Sequence, residues 1–351
     1  MKTLRLVLLL RFLIVVGFVS SAASACRPFN ELLDLSQLDL HPPRFLGVSA
    51  VSPTDIILYF DEQATVVPET LRLAPAIAPR SAVSHADGTI VVGLSAPMAP
   101  GAEYVVSATV VDAHGNSLRF ATPFYGFNAD VPELLINEFT CRGSTTNPDK
   151  VELLALSDGN IAGVTLTNGS HLAWDTRIIF PDVAVSAGDF IVVHFRPHGV
   201  AGEIDERLTK TDATAAHAIA TAWDFWVTDG SGLPSNNGSL VLTDTPRGDI
   251  IDAVIWSNRT STSDEAHRGF GSRKMMERVD EIVRAGGWRI AGVVAAPEDT
   301  VNPDGATATR SICRGSVPVD TDTRADWHIV PTRGATFGLP NTDERFEPTE
   351  Q

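Results

Sequence analysis

The sequence has few positive charges and, after its first 25 residues, no apolar run near the ~20 residues that a membrane crossing needs. It contains 27 Lys and Arg against 43 Asp and Glu, which gives a net charge of −16. Such a surface repels phosphate backbones, which counts against nucleic acid as the main partner. Long helical patterns are scarce, while Gly, Pro, Thr and Val recur throughout. We therefore expect a mostly β protein.

The short signatures of common enzymes and metal sites are also missing. There is no Gly-x-Ser-x-Gly elbow, no phosphate-binding Gly-Lys-Ser/Thr loop and no dinucleotide fingerprint. His194 and His198 have a spacing that suits zinc only on a helix, whereas "FIVVHFRPH" is typical of a strand followed by Pro197. No Cys pair at metal spacing accompanies them. We predict neither a zinc site nor a cofactor.

The amino terminus has the order of an export signal. Lys2 and Arg5 give a positive start, residues 6–19 are almost wholly apolar, and residues 20–25 are small. We predict a signal peptide over residues 1–25. Arg11 interrupts the apolar run, so an uncleaved membrane anchor is the alternative.

Cys26 follows directly after Ala23-Ser24-Ala25. This resembles the lipobox of bacterial lipoproteins, in which the thiol takes a diacylglycerol and acyl chains such as palmitate tether the protein to the cell envelope. The usual box has Leu where this chain has Ala23, a looseness found in spirochaete lipoboxes. Ala-Ser-Ala is also a site for ordinary signal peptidase, which would leave a secreted protein without lipid.

The sequence has three cysteines, so in an exported protein at least one of them has no partner for an intramolecular disulfide. If Cys26 carries lipid, Cys141 and Cys313 remain available for one disulfide. Two separate buried thiols are an equally good interpretation of the count.

After a polar spacer over residues 26–43, short strand patterns with recurring turn residues run through residues 44–129. "VSAVSPTDIILYFDE" and "LSAPMAPGAEYVVSATVVDAHGNSL" resemble the bacterial Ig-like domains of S-layer-type proteins. In the second stretch Asp112 and Asn116 bracket Gly115 in a tight turn. The resemblance implies a β-sandwich that serves as a spacer or adhesive module and carries no catalytic residues.

Residues 130–341 form a second block that resembles the lamin-tail domain, an Ig-like β-sandwich. The matching parts, in order, are "INEF", "VELL", Gly163-x-x-Leu166, "AGDFIVV", Asn-x-Gly-x-Leu-x-Leu, Asp249-x-x-Asp252 and the final Asp-Trp…Gly…Gly-x-x-Asn. Inserts at about 197–222 and 260–308 exceed what that family needs, and residues 342–351 form an acidic tail. We therefore expect two Ig-like sandwiches in tandem.

The second insert carries a helical pattern. Met275, Met276, Val279, Ile282 and Val283 are spaced for one helix face, and Gly286 ends the pattern. We predict an amphipathic helix packed on the sandwich; a helix that binds a partner is the alternative.

Glu138 and Glu152 are carboxylates set into strand-like apolar sequence. As a general acid and base they would make the chain an enzyme. Both occupy positions that recur in the lamin-tail pattern, in proteins with no common activity. We therefore predict that they are structural groups, hydrogen-bonded to backbone donors of a loop.

Two weaker patterns could indicate a ligand. Oxygen-rich turns could bind calcium, although none has the register of a calcium loop and turn formation explains such residues; they contain Asp158, Asn160, Asp229, Asn236, Asn237 and Asp304. Trp223-Asp224-Phe225-Trp226 resembles a glycan-stacking platform in composition, but strand alternation would place part of it in the core.

These patterns together predict a non-enzymatic, exported lipoprotein that acts as an adhesion or scaffold module in a bacterial cell envelope. Its expected partners are the membrane, through the lipid, and a protein or matrix component. A glycan- or calcium-dependent adhesin is one alternative. An accessory protein to an exported hydrolase or nuclease is another, although no stretch of the chain is left over for a catalytic domain.

Overall fold

A computed structural model describes residues 39–195, 200–228, 232–260 and 264–348. The predicted signal peptide and Cys26 lie outside these ranges, as do His198 and Asp229. Most regular structure in the described ranges is β, with two short α-helices and a few 3-10 turns, and the strands form several sandwich-like sheets. The predicted mostly β fold class with tandem β domains is confirmed.

The first domain contains two facing sheets. Its strands are β1 (Phe45–Ser52), β2 (Asp55–Phe60), β3 (Thr65–Val66), β4 (Arg72–Ala74), β5 (Pro79–Ser84), β6 (Thr89–Leu94), β7 (Glu103–Val111) and β8 (Ser117–Tyr125). One sheet has the order β1-β2-β6-β5, and in the other β7 pairs with β8 on one edge and with β3 and β4 on the opposite edge. All pairs are antiparallel, as short turns between consecutive strands allow.

Strict alternation along these strands produces the first core. In β2 the inward residues Ile56, Leu58 and Phe60 are buried while their neighbours are partly exposed. The same period of two places Tyr104 and Val106 of β7 in that core. Each face of the sandwich therefore buries one apolar side of a strand and leaves the other to solvent.

The second domain is larger and its strands are more deeply buried. They are β9 (Leu134–Phe139), β10 (Lys150–Ala155), β11 (Gly159–Asn160), β12 (Thr165–Gly169), β13 (Trp174–Ile179), β14 (Ala184–Val185), β15 (Phe190–His194), β16 (Ala222–Trp226), β17 (Asn237–Thr243), β18 (Ile250–Ser257), β19 (Ile312–Cys313) and β20 (His328–Ile329). The sheet orders are β16-β15-β10-β9-β19-β20 and β13-β12-β17-β18, with a separate β11-β14 pair. β15 and β16 are parallel, which the insert between them permits because a parallel pair needs a long connection.

The predicted amphipathic helix is present. α1 (Asp264–His267) is a single turn and α2 (Arg273–Arg284) spans the predicted segment. Ser272 caps α2 by accepting a hydrogen bond from the Met275 backbone N–H. Met275, Val279 and Ile282 are buried in the core of the second domain, so this face of the helix packs on the sandwich.

The buried apolar residues separate into two clusters, one ending at Phe124 and the other beginning at Leu134. The predicted domain boundary at residues 129 and 130 falls between them. Neither α-helix of the described ranges combines the length and the apolar character that a membrane crossing requires.

Candidate functional site

Glu138 and Glu152 are direct cross-strand partners on β9 and β10, and both are fully buried. Glu138 accepts hydrogen bonds from the Thr336 backbone N–H at 3.0 Å, from the Thr336 hydroxyl at 2.8 Å and from the Ser311 hydroxyl. Glu152 accepts bonds from the Asn137 side-chain amide at 2.8 Å and from the Gly338 backbone N–H. Each carboxyl oxygen is therefore hydrogen-bonded by a group of the protein itself.

Two of the donor residues, Thr336 and Gly338, belong to a C-terminal strap, residues 331–341, that contacts both glutamates. Asn341 fixes the end of the strap because its amide donates to the Asn137 side chain and to the Arg314 backbone carbonyl, both at 3.0 Å. The sequence predicted loop donors for the glutamates, and the structure places this strap over them. That arrangement favours a structural role and leaves neither carboxylate open to a substrate.

Burial raises the pKa of both carboxyl groups. For Glu152 desolvation is the largest cause and the neighbouring Glu138 adds to it, which brings the pKa to about 8. Desolvation also raises the pKa of Glu138, while its hydroxyl and backbone donors work in the opposite direction. Because burial disfavours the charged form and Glu138 adds repulsion, the raised pKa of Glu152 favours its protonated form at neutral pH.

A second buried polar cluster has Arg314 at its centre, a residue that sequence patterns did not single out. Its guanidinium contacts both carboxylate oxygens of Asp252 at 3.0 and 2.9 Å and the backbone carbonyls of Ile136 and Val319 at 2.8 and 2.7 Å. Asp252 in turn accepts the Ile136 backbone N–H at 2.7 Å. The only sequence signal was Asp252 itself, within Asp249-x-x-Asp252. This cluster joins β9, β18 and the segment after β19.

The possible disulfide between Cys141 and Cys313 is not formed, and both are buried free thiols. Cys313 pairs across β9 and β19 with Glu138, whereas Cys141 lies three residues beyond Glu138. At ~3.3 Å per residue that offset is roughly 10 Å, outside the ~4.4–6.8 Å that a disulfide allows between Cα atoms. Desolvation raises the pKa of Cys141 to about 12. The alternative of two separate buried thiols describes the structure.

His194 is part of the core. Its Nε2 lies 2.7 Å from an Asp224 carboxylate oxygen, and its ring stacks on Trp226 with 4.6 Å between centroids. Phe225 and Trp226 are buried, and Trp223 is half-buried with its indole N–H donating to Asp189. The glycan platform considered for this segment is therefore wrong, because its aromatic rings pack inside the fold or against neighbouring side chains.

The described side chains of the oxygen-rich turns accept hydrogen bonds from, or donate through their amides to, other groups of the chain. Asp158 accepts the Ala187 backbone N–H, and Asn160 bonds to Asp182. Asn236 and Asp304 do come together, but Arg142 donates to both, at 3.3 and 2.8 Å. A cation of the chain itself already occupies that position.

One group in the described ranges has the geometry of a metal site, and it lies in the first domain. Asp39, Asp112 and His114 offer ligand atoms within 4.8 Å of one another. Asp112 was predicted as a turn residue, and it accepts bonds from the backbone N–H groups of His114 at 2.8 Å and Asn116 at 2.9 Å. These contacts explain the carboxylate as part of the turn after β7.

The two domains meet through close backbone contact. Gly101 and Gly163 both have positive φ, and a Cβ built on Gly101 would lie 2.2 Å from the Gly163 nitrogen. Beside them the Asn128 side chain donates to the backbone carbonyls of Asn160 at 2.7 Å and Ala162 at 3.0 Å. Only residues without a Cβ permit this approach.

Replacing Gly101 with alanine is expected to destabilise the protein by more than the ~1–2 kcal/mol that a Cβ costs in left-handed backbone, and to loosen the domain junction, because the new Cβ would lie 2.2 Å from the Gly163 nitrogen. Gly115→Ala is the matched control. Gly115 also has positive φ, but nothing lies within 4 Å of its Cβ position, so only the conformational cost of about 1–2 kcal/mol applies. Urea denaturation and limited proteolysis near residues 126–132 measure both effects. Equal losses in the two variants would contradict the contact.

Next to this junction lies an open cleft of about 940 Å³. One wall is residues 46–50 of β1 and another is residues 122–128 at the end of β8, both from the first domain. The second domain contributes Trp174 and Arg177 of β13 and the turn of residues 244–249. We call this space the domain cleft.

Two arginines lie over one indole ring in the domain cleft. The guanidinium carbons of Arg177 and Arg247 are 4.5 and 5.3 Å from the Trp174 ring centroid. Within the described part of the chain, neither arginine forms an ion pair. Arg247 also has a φ of 68°, which is unusual for a residue with a Cβ. Cation–π contact holds both groups at the wall of the cleft.

Tyr125 and Glu103 complete the first-domain side of the domain cleft. The tyrosine hydroxyl donates to the Glu103 carboxylate at 3.2 Å. Burial is the largest cause that raises the pKa of Tyr125, Glu103 adds to it, and Arg177 acts against both. Arg177 therefore lies beside the tyrosine of the other domain. No local sequence pattern indicated this cleft, because its walls come from four separate segments.

Comparison with known proteins gives two matches. The model of the TP_1001_2nd family, described as "protein second domain", matches residues 132–329, which is more than half of the chain. An uncharacterized protein of Treponema pallidum (strain Nichols) is 29% identical over 158 residues. That match covers 45% of this chain and 40% of the relative, so the chain spans less than half of that protein's length.

Proposed function

The chain belongs to the TP_1001_2nd family, and on that premise we propose that it is a non-enzymatic, exported lipoprotein that serves as an interaction module in a bacterial cell envelope. The amino terminus supports export through the signal-like residues 1–25. Cys26 at the expected first mature position supports the lipid. The relative from a spirochaete supports the looser lipobox with Ala23.

The proposal that the protein is not an enzyme is supported by the burial and the hydrogen bonds of Glu138 and Glu152. They are the carboxylates that the sequence placed best for acid–base chemistry, and each is fully buried and bonded to the strap or its neighbours. A general acid or base must reach the proton that it transfers. We assign the Ig-like first domain to spacing and the lamin-tail-like second domain to contact with a protein or matrix partner.

The anchor is tested by the mature amino terminus. In a host that processes bacterial lipoproteins, mass spectrometry is expected to find a diacylglycerol adduct on Cys26, and Cys26→Ser is expected to move most of the protein from the membrane fraction to the soluble fraction. Ser21→Ala, which alters the same segment but keeps the thiol, should stay with the membrane. A bare Cys26 at the mature terminus would instead establish secretion without lipid.

A further inference from the structure

We propose that the domain cleft binds an extended acidic peptide segment, with Arg177 and Arg247 bonding its carboxylate groups and the outer edge of β1 pairing with its backbone. The inference rests on the proposed function and names the chemistry of the partner. Three observations carry it: two guanidinium groups without an ion pair in the described ranges, an unpaired strand edge, and their placement around one open space.

Two cationic side chains line the domain cleft, together with the three carboxylates Glu103, Asp244 and Asp249. The protein carries a net charge of −16, yet two guanidinium groups without ion-pair partners in the described ranges lie on one wall of the cleft. A guanidinium presents a planar fork of donors that matches a carboxylate. Because Trp174 already holds both groups, less side-chain freedom is lost when a ligand binds.

Two of the three acidic residues of the cleft, Glu103 and Asp244, are hydrogen-bonded to other groups, and none of the three forms an ion pair with Arg177 or Arg247 in the described ranges. Glu103 accepts the Tyr125 hydroxyl at 3.2 Å. Asp244 accepts the Thr245 hydroxyl at 3.3 Å, and its backbone N–H bonds to the Asp249 carbonyl to close the turn. The turn therefore presents Arg247 and Asp249 at its exposed tip. The partner must bring the carboxylates that the arginines lack.

The β1 wall of the domain cleft has an unpaired backbone edge. β1 is the terminal strand of its sheet, and it pairs only with β2. No backbone hydrogen bond in the described part of the chain reaches the outer edge of residues 46–50. Such an edge accepts an added strand, and the main-chain bonds supply affinity while side chains supply specificity. Gly47 lies on this wall with nothing within 4 Å of its Cβ position, so the sheet face beside that edge has free space.

An acidic glycan would offer the same carboxylate chemistry, but the cleft suits it less well. A sugar ring stacks on a free aromatic face, whereas the Trp174 ring already carries two guanidinium groups. A glycan also lacks the alternating backbone N–H and C=O groups that would pair with the edge of β1. A peptide uses both walls.

The test titrates a fluorescein-labelled peptide, Glu-Val-Glu-Val-Glu, into the full-length protein and follows fluorescence anisotropy. Alternation places its carboxylates on one side of an extended chain. We expect saturable binding that weakens with salt, and a loss of about tenfold or more in affinity for Arg177→Met and for Arg247→Gly. Arg247→Gly suits the positive φ of that position, so it folds even where Arg177→Met does not.

Gly47→Tyr tests the β1 wall, because the added ring fills open space in the cleft and should reduce binding by a similar factor. Gly292→Tyr is its control: Gly292 has no positive φ, and its nearest contacts at 3.7 and 3.9 Å are ordinary. Arg289→Met, which alters an exposed arginine outside the cleft, is the control for charge. Both controls should bind as the unmodified protein does.

Three results would overturn the proposal: no binding of the acidic peptide, equal binding of Lys-Val-Lys-Val-Lys, or binding that the cleft variants leave unchanged. Binding of oligogalacturonate in place of the peptide would assign the cleft to an acidic glycan instead. These outcomes are separate from the proposed anchor, because lipid on Cys26 and membrane fractionation do not depend on the cleft. A bare Cys26 with intact peptide binding would reject the anchor alone.

Discussion

Replacing Arg314 with methionine is expected to lower the free energy of unfolding by about 3–5 kcal/mol, because it leaves Asp252 buried without its counter-charge. Asp252 is 1% exposed and Arg314 is fully buried. The substitution also removes the donors to the Ile136 and Val319 carbonyls. Three segments of the second domain lose their common contact, so the loss should appear in the unfolding of the whole domain.

The measurement is urea denaturation followed by tryptophan fluorescence and circular dichroism. Arg289→Met is the matched control, since Arg289 is 72% exposed and its pair with Asp322 is at the surface; its cost should be below about 1 kcal/mol. The double variant Arg314→Met/Asp252→Leu should recover only part of the loss, because Asp252 no longer needs a counter-charge while Asp326, 3.5 Å from Arg314, still loses its partner. A cost for Arg314→Met as small as that of the control would show that the cluster does not hold the fold.

Stability should fall as pH rises from about 5 to 8, by up to about 1.4 kcal/mol per pH unit for each buried carboxyl that keeps its proton. The sign follows from Glu152, whose pKa rises from 4.5 to about 8 in the folded protein. Between these values the folded state holds a proton that the unfolded state has released. Raising the pH therefore favours the unfolded state, and Glu138, whose pKa is also raised, acts in the same direction.

Glu152→Gln isolates this contribution. An amide cannot titrate, so the variant should show a shallower fall between pH 5 and pH 8 than the unmodified protein. At pH 5 it should be less stable by about 1–3 kcal/mol, because the amide nitrogen cannot accept the bond that one carboxyl oxygen now accepts from Asn137 or Gly338. Near pH 8 the two stabilities should approach each other or cross.

Denaturation curves at several pH values between 5 and 8 provide the measurement. Glu133→Gln is the control, because it makes the same chemical change at an exposed position just before β9. It should keep the slope of the unmodified protein. Identical slopes for Glu152→Gln and the unmodified protein would show that the carboxyl is ionised in the fold. An activity that disappeared in Glu152→Gln without any loss of stability would restore the catalytic interpretation.

Local patterns were sufficient for the secondary structure and for the helix. The period of two in "DIILYF" appears as alternating burial along β2. The spacing of Met275, Val279 and Ile282 appears as the buried face of α2. Both patterns are properties of a few consecutive residues, so they can be recognised without knowing what the segment packs against.

Patterns of composition were less reliable where the partner decides the role of a residue. The two cysteines were compatible with a disulfide until the register of β9 and β19 placed Cys313 opposite Glu138. The aromatic run at residues 223–226 was compatible with a surface platform until the parallel pairing of β15 and β16 took it into the core. Register and strand order are decided by long-range contacts, and no count of residues contains them.

The sequence by itself determined that this chain is a mostly β protein with an amphipathic helix in its second half, because alternation and helical spacing are local properties. It also placed Glu138 and Glu152 on strands. Only the tertiary structure decided that a strap more than 170 residues away bonds them, that Arg314 meets Asp252 across 62 residues, and that two arginines and a strand edge face one cleft. Such meetings depend on how sheets stack and how two domains dock, and chain order does not fix either one.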